Sequence, residues 1–185
     1  MKHSKSNDQK RDGILMGLFH KTAQNINTAF SVIPVLHGSL GLQRLVDDNL
    51  SPDDIDVGVP LFMLSEKWAD LVKLMENGGY EMIDLHEKCF RYSDDISMSF
   101  CAIEGTNEHS TIPGLCDFAG IDLVECPIIE ENGAVYRIPT LHQYLAIYKS
   151  SQDDEYRKDK TNDKDKRKID TIHRALNIAK EEAAW

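Results

Sequence analysis

The sequence is short of the features that most quickly betray a function. No apolar run approaches the ~20 residues that a membrane helix needs, so no membrane span is expected. The start, "MKHSKSNDQKRDG", has no apolar core of the kind a secretory signal carries, and the expected compartment is the cytoplasm. Neither G-x-x-x-x-G-K-[ST] nor G-x-G-x-x-G occurs, which removes the P-loop and dinucleotide-binding readings. The 7 histidines form no H-x-x-x-H pair, and the 4 cysteines, at 89, 101, 116 and 126, form no C-x-x-C pair. A structural zinc or a zinc hydrolase is therefore disfavoured, and buried thiols in a reducing compartment are expected. Positive charge is also scarce. With 21 Lys and Arg against 31 Asp and Glu, the formal charge is −10. A chain this acidic repels a polyanion, so a nucleic-acid partner is disfavoured, although a local basic patch still suits a single nucleotide.

What remains is an ordinary globular composition, 41% apolar and 28% charged, at a length that suits one domain with a substantial core. The expected unit is a single domain over 1–185, with 1–12 a flexible lead and 139–185 a C-terminal helical part.

Periodicity supplies the elements. "ILMGLFHKTAQNINTAF" spaces Ile14, Leu18, Phe19, Ala23, Ile26 and Phe30 as a helix does. "SVIPVLHG" reads as a buried strand entering a turn, "SLGLQRLVDDN" as a short helix capped by Ser39, and "IDVGVP" as a strand. A helix capped by Ser65 follows, with Trp68, Leu71, Val72 and Met75 on one stripe and Gly78-Gly79 ending it. Strands are expected in "YEMIDLH", "KCFRYS", "ISMSFCAIEG", "DFAGIDLVECPII" and "AVYRIPT", with "TNEHSTIPG" a loop and "EENG" a turn. "LHQYLAIYKSS" is a helix, "DDEYRKDKTNDKDKRK" a charged connection, and the last helix places Ile169, Ile172, Leu176 and Ala179 at helical spacing. The fold class is α+β: a mixed β-sheet flanked by helices.

The chemistry concentrates in "VLHGSLGLQRLVDDNLSPDDIDVGVP". Asp54 and Asp56 stand two apart on a strand, so their side chains share a face at roughly 7 Å. Carboxylates so placed suit Mg²⁺, which prefers oxygen ligands. The Gly38-Ser39 turn supplies a matching part, since glycine admits a phosphate close to the backbone and the following helix start offers free N–H groups. The competing reading is a half-exposed strand with both acids simply on its wet face. His37, Arg91 and Arg137 are less specific, and Trp68 and Tyr144 fit helix cores better than a base-stacking platform.

The stretch "HGSLGLQRLVDDNLSPDDIDVGVP" resembles the signature of the nucleotidyltransferase superfamily, which includes the antibiotic, minimal and polymerase-β-like nucleotidyltransferases. They share an apolar strand, Gly-Ser or Gly-Gly, a helix, then acid-apolar-acid-apolar. The resemblance implies that Asp54 and Asp56 hold Mg²⁺ and that Gly38 and Ser39 hold a triphosphate. It also implies a third acid on a neighbouring strand, for which "CDFAGIDLVEC" offers Asp122, with Asp117 and Glu125 as rivals. The tail "NDKDKRKIDTIHRAL" is similar to the closing helices of small members, where bases such as Lys164 and Lys168 face the triphosphate. A solvated charged helix start is the bland reading of that segment. The implied activity is transfer of a nucleoside monophosphate from an NTP to a hydroxyl of a small molecule or a partner protein, and the alternative is a catalytically inactive binding module, antitoxin-like or regulatory.

Overall fold

In a computed structural model, residues 2–105, 113–123, 126–153 and 162–182 are described. Positions 106–112 of the expected loop 106–114, the acid Glu125 and positions 154–161 of the expected charged connection 153–168 lie outside them, and positions 162–168 of that connection are helical. The order is α1 (Lys2–Phe30), β1 (Val35–His37), α2 (Gly38–Gln43), β2 (Asp54–Val59), α3 (Leu61–Leu64), α4 (Trp68–Asn77), β3 (Glu81–Asp84), β4 (Cys89–Ser93), β5 (Ile96–Ala102), α5 (Leu115–Ala119), β6 (Ile128–Glu131), β7 (Ala134–Arg137), α6 (Leu141–Asp153) and α7 (Asn162–Glu182). This is an α+β fold built on a seven-stranded mixed sheet in the order β3-β4-β5-β2-β1-β7-β6.

The centre of the sheet explains the rest. β2 pairs antiparallel with β1 and parallel with β5, while β4 pairs antiparallel with β5. Because side chains alternate along a strand, each register row faces one side. Leu36, Val57 and Phe100 form one apolar row, and Ile55, Met98 and Phe90 the next, all essentially buried. Two helices cover that side. Phe19 of α1 meets Tyr136 of β7 edge-on at 5.0 Å, and Trp68 of α4 leans on Phe90 at 5.8 Å. No helix among the described residues is long and apolar enough to cross a membrane.

Several elements differ from expectation for identifiable reasons. The buried stripe of α1 is Leu15, Phe19, Ala23 and Ile26, and Ile14 points outward, 46% exposed. Positions i, i+4, i+8 and i+11 keep a straighter line along a helix than the set that begins at Ile14. α1 also runs back to Lys2, through most of the lead expected to be flexible. Ser39 is not the cap of α2, because His37 holds that position and the helix begins at Gly38. Ser65 does not cap α4 either. Its hydroxyl donates to the Leu61 carbonyl, closing the turn of α3, and α4 opens at Trp68.

The segment "DFAGIDL" is not a strand. Leu115–Ala119 form α5, which Gly120 ends in the left-handed conformation (φ 61°) that glycine adopts without strain. The carboxylate of Asp117, in the first turn of α5, accepts from the Gly105 amide at 2.7 Å. A glycine on each side of five residues is a helix-turn signal that the apolar alternation had masked.

Candidate functional site

The opposite side of the same strands is polar. His37, Asp56, Ser99 and Cys89 make one row, and Asp54, Ser97 and Arg91 the next. All but Arg91, which is exposed, are half-buried. Asp54 and Asp56 thus share one face, as their spacing predicts, while Ile55 and Val57 between them enter the core.

Gly38 completes this corner. It opens α2 at φ 64°, and a Cβ built there would lie 1.9 Å from Asp56 Oδ2. Only glycine lets the chain turn this way against that carboxylate. Gly41 brings α2 equally close to its neighbours, since a Cβ there would lie 2.2 Å from the Tyr144 hydroxyl and 2.7 Å from the Leu36 carbonyl. Tyr144, fully buried in α6 as its helix-core reading predicts, donates to Leu36 O at 3.3 Å. Its hydroxyl is held well above its usual range, chiefly by burial and also by the charges of Tyr148 and Asp56. Across β2, Cys101 Sγ and His37 Nε2 meet at 3.2 Å.

Helix α7 brings positive charge to the other end of the pair. Lys164 Nζ stands 3.8 Å from Asp53 Oδ2. Lys168 lies over the Tyr148 ring at 4.7 Å and 3.7 Å from Asp165 Oδ1, with its side chain only 17% exposed. Asp54 therefore sits among two other acids and two bases, and the balance shifts its carboxyl towards the neutral form. Burial, then Asp56, then Asp53 push its carboxyl up to about 6, against the opposing pull of Lys168 and Lys164. A buried like-charge pair is unfavourable until a cation or a proton joins it.

Of the candidate third acids among the described residues, neither Asp122 nor Asp117 lies on the sheet. The strand beside β2 offers Ser97 and Ser99 next to Asp54 and Asp56. Asp122 lies in the irregular segment after α5, where its carbonyl accepts from Gln143, and Asp117 lies on α5. Among the described residues no three His, Cys, Asp or Glu side chains gather so as to hold a metal ion. The donor set here fits one Mg²⁺ of the kind that takes one or two carboxylates and fills its remaining positions with water and phosphate oxygens. Among the described residues it does not fit a site in which three carboxylates hold two ions. Away from this face, a groove of about 640 Å³ between α1, α3 and α4 is walled by Lys21, Phe30, Phe62 and Lys73.

Sequence reasoning missed four participants. Asp53, just before β2, receives Lys164, while Asp48, Thr171 and Arg174 form a junction between α7 and the connection leading to β2. The only signal for that junction was an isolated arginine and threonine on a charged helix, too common to single out.

No family model matches the chain, and no solved structure matches it. Over 159 residues it is 39% identical to the uncharacterized protein YnaI of Bacillus subtilis (strain 168), an alignment that covers 85% of this chain and 95% of that protein. The chain therefore belongs to the family of YnaI.

Proposed function

We propose that the chain is a Mg²⁺-dependent nucleotidyltransferase that moves a nucleoside monophosphate from an NTP to a hydroxyl of a small molecule or a partner protein. The observation that carries this reading is the pair Asp54 and Asp56 on one half-buried sheet face, with Gly38 packed against Asp56 and Lys164 and Lys168 near Asp53 and Asp54. A nucleoside triphosphate carries the complementary features, since its phosphates need both a divalent cation and fixed positive charge. When bound, Mg²⁺ supplies charge neutralisation and orientation of the phosphates.

The protein's own residues do the remainder. Asp54 and Asp56 hold the cation, Lys164 and Lys168 draw the triphosphate towards that pair, and the backbone N–H groups at Gly38 and Ser39, beside Asp56, are its further partners. The acceptor oxygen bonds to the α-phosphorus, the bond to the bridging oxygen breaks, and pyrophosphate leaves with that electron pair. Asp122 is off the sheet, so the reading rests on the pair, and the acceptor proton passes to solvent. Positioning and charge neutralisation are the main sources of rate in such a transfer.

One observation favours a second reading, in which nucleotide binds without transfer and the chain acts as a regulatory or antitoxin-like module. Ser97 and Ser99 stand on the neighbouring strand where a third carboxylate would assist the transfer.

Thermal shifts with ATP, GTP, CTP and UTP, each with and without Mg²⁺, test both readings. At least one nucleotide is expected to raise Tm only with Mg²⁺, and Asp54→Asn or Asp56→Asn is expected to abolish that rise. Pyrophosphate release with a hydroxyl acceptor supports the transferase. Binding with no release under any acceptor supports the module, and silence with all four nucleotides refutes both.

A further inference from the structure

Helix α7 touches the connection between α2 and β2 at two points. At one, Asp48 Oδ2 accepts from Thr171 Oγ1 at 2.9 Å and from the Arg174 guanidinium, which also donates to Thr171 Oγ1 at 2.9 Å. At the other, Asp53 receives Lys164. Lys164, Lys168 and Thr171 stand at i, i+4 and i+7, so one stripe of α7 carries both lysines and the docking threonine. About 10 Å of helix separates Lys164 from Thr171, a span fixed by the rise per residue. The connection itself is held to the body by Gln43, which donates to the Asp48 carbonyl and accepts from the Leu50 amide, both at 2.7 Å. Asp48 is thus a fixed anchor, and its carboxyl is held below the ordinary range by the hydrogen bonds from Arg174 and Thr171.

We propose that Asp48 is a positioning residue that docks α7 through Thr171 and Arg174, so that Lys164 and Lys168 face the Asp53–Asp54 end of β2. What this positioning serves rests on the nucleotide-binding reading above. The Asp48–Arg174 pair is exposed, at 48% and 60% of the two side chains, and exposed pairs add little to stability. Its loss therefore separates placement from folding. α7 also packs on α6, and Ile172 is fully buried. The helix is expected to survive without the anchor while its lysine stripe loses its aim.

Zero-length cross-linking reads the placement directly and needs no nucleotide. A water-soluble carbodiimide activates the Asp53 carboxylate, the Lys164 amine attacks, an amide forms and the urea leaves. Asp48→Asn and Arg174→Gln are each expected to lower the yield of the 53–164 cross-link several-fold, with an unchanged circular-dichroism spectrum. A combined Asp48→Arg, Arg174→Asp exchange is expected to restore most of it. Wild-type yield in both single variants overturns the proposal. In parallel, the Kd for Mg²⁺-NTP is expected to rise several-fold in each single variant and to recover in the exchange. Loss of the cross-link with an unchanged Kd overturns the positioning role. A wild type that cross-links but binds no nucleotide removes the nucleotide reading and leaves the docking role of Asp48 supported.

Discussion

The two faces of the central sheet are made from the same strands and obey opposite rules. On one, Leu36, Ile55, Val57, Phe90, Met98 and Phe100 are essentially shut away from water. On the other, one residue along in each strand, stand His37, Asp54, Asp56, Cys89, Arg91, Ser97 and Ser99. The apolar face draws its stability from area removed from water, about 25 cal/mol per Å². The polar face works against that gain, because it holds two carboxylates together in partial burial. Folding alone does not ask for Asp54 and Asp56. A strand with threonines there would alternate equally well, so the face that costs stability is the one on which the proposed function rests.

The sharpest way to test the contrast is to damage the apolar face. Phe90 is fully buried between Trp68 and an edge-on Phe100 at 5.8 Å. Phe90→Ala is expected to lower the unfolding free energy by about 3–5 kcal/mol, the usual cost of a large core cavity. Urea titration measures it, and a loss below about 1 kcal/mol, the range of ordinary substitutions, would mean that this face is not the core.

Gly38→Ala tests where the two faces meet, and its expected effect is smaller. The left-handed backbone costs a side chain about 1–2 kcal/mol, and the new methyl would collide with the Asp56 carboxylate. A destabilisation of about 1–3 kcal/mol is expected, together with loss of any Mg²⁺-dependent nucleotide shift. A stable variant that still binds would show that Gly38 does not shape the corner.

Much of this was legible in the residues. Strict alternation in "DIDV" and in "ISMSFCA" gave both faces, because a period of two has only one structural meaning. The step from β1 to α2 was readable in Gly38. The third acid was not readable. Asp122 sits between apolar residues as a strand residue would, yet Gly114 and Gly120 fold the preceding stretch into α5. Local alternation over three residues cannot compete with two flanking glycines. The position beside β2 was equally hidden, because strand order is a long-range property. Nothing in "ISMSF" announces that Ser97 and Ser99 will lie next to Asp54 and Asp56. The same holds for Asp48 and Arg174, which stand 126 positions apart in the chain.

The smallest expected effect is the most informative about the polar face. Burial, Asp56 and Asp53 raise the Asp54 carboxyl from 3.8 to about 6. A carboxyl whose folded value lies above its unfolded value contributes its stability fully below pH 4 and loses it as the pH rises through 6. Asparagine has nearly the same shape as the protonated acid and carries no charge at any pH. Asp54→Asn is therefore expected to match the wild type near pH 4 and to become more stable than it between pH 4 and 7. Above pH 7 the advantage should level off at about 1–2 kcal/mol, allowing for the part of the field that solvent screens. Urea titrations at intervals from pH 4 to 8 give the curve. Mg²⁺ supplies the second half of the test, because a cation between the carboxylates removes the repulsion that the substitution removes. At pH 8, millimolar Mg²⁺ is expected to stabilise the wild type and leave the variant unchanged, narrowing the gap. An advantage for the variant that is the same at pH 4 and pH 8 would show that Asp54 is only a wet strand residue. A pH-dependent gap that Mg²⁺ fails to narrow would keep the strained pair and remove the cation from its explanation.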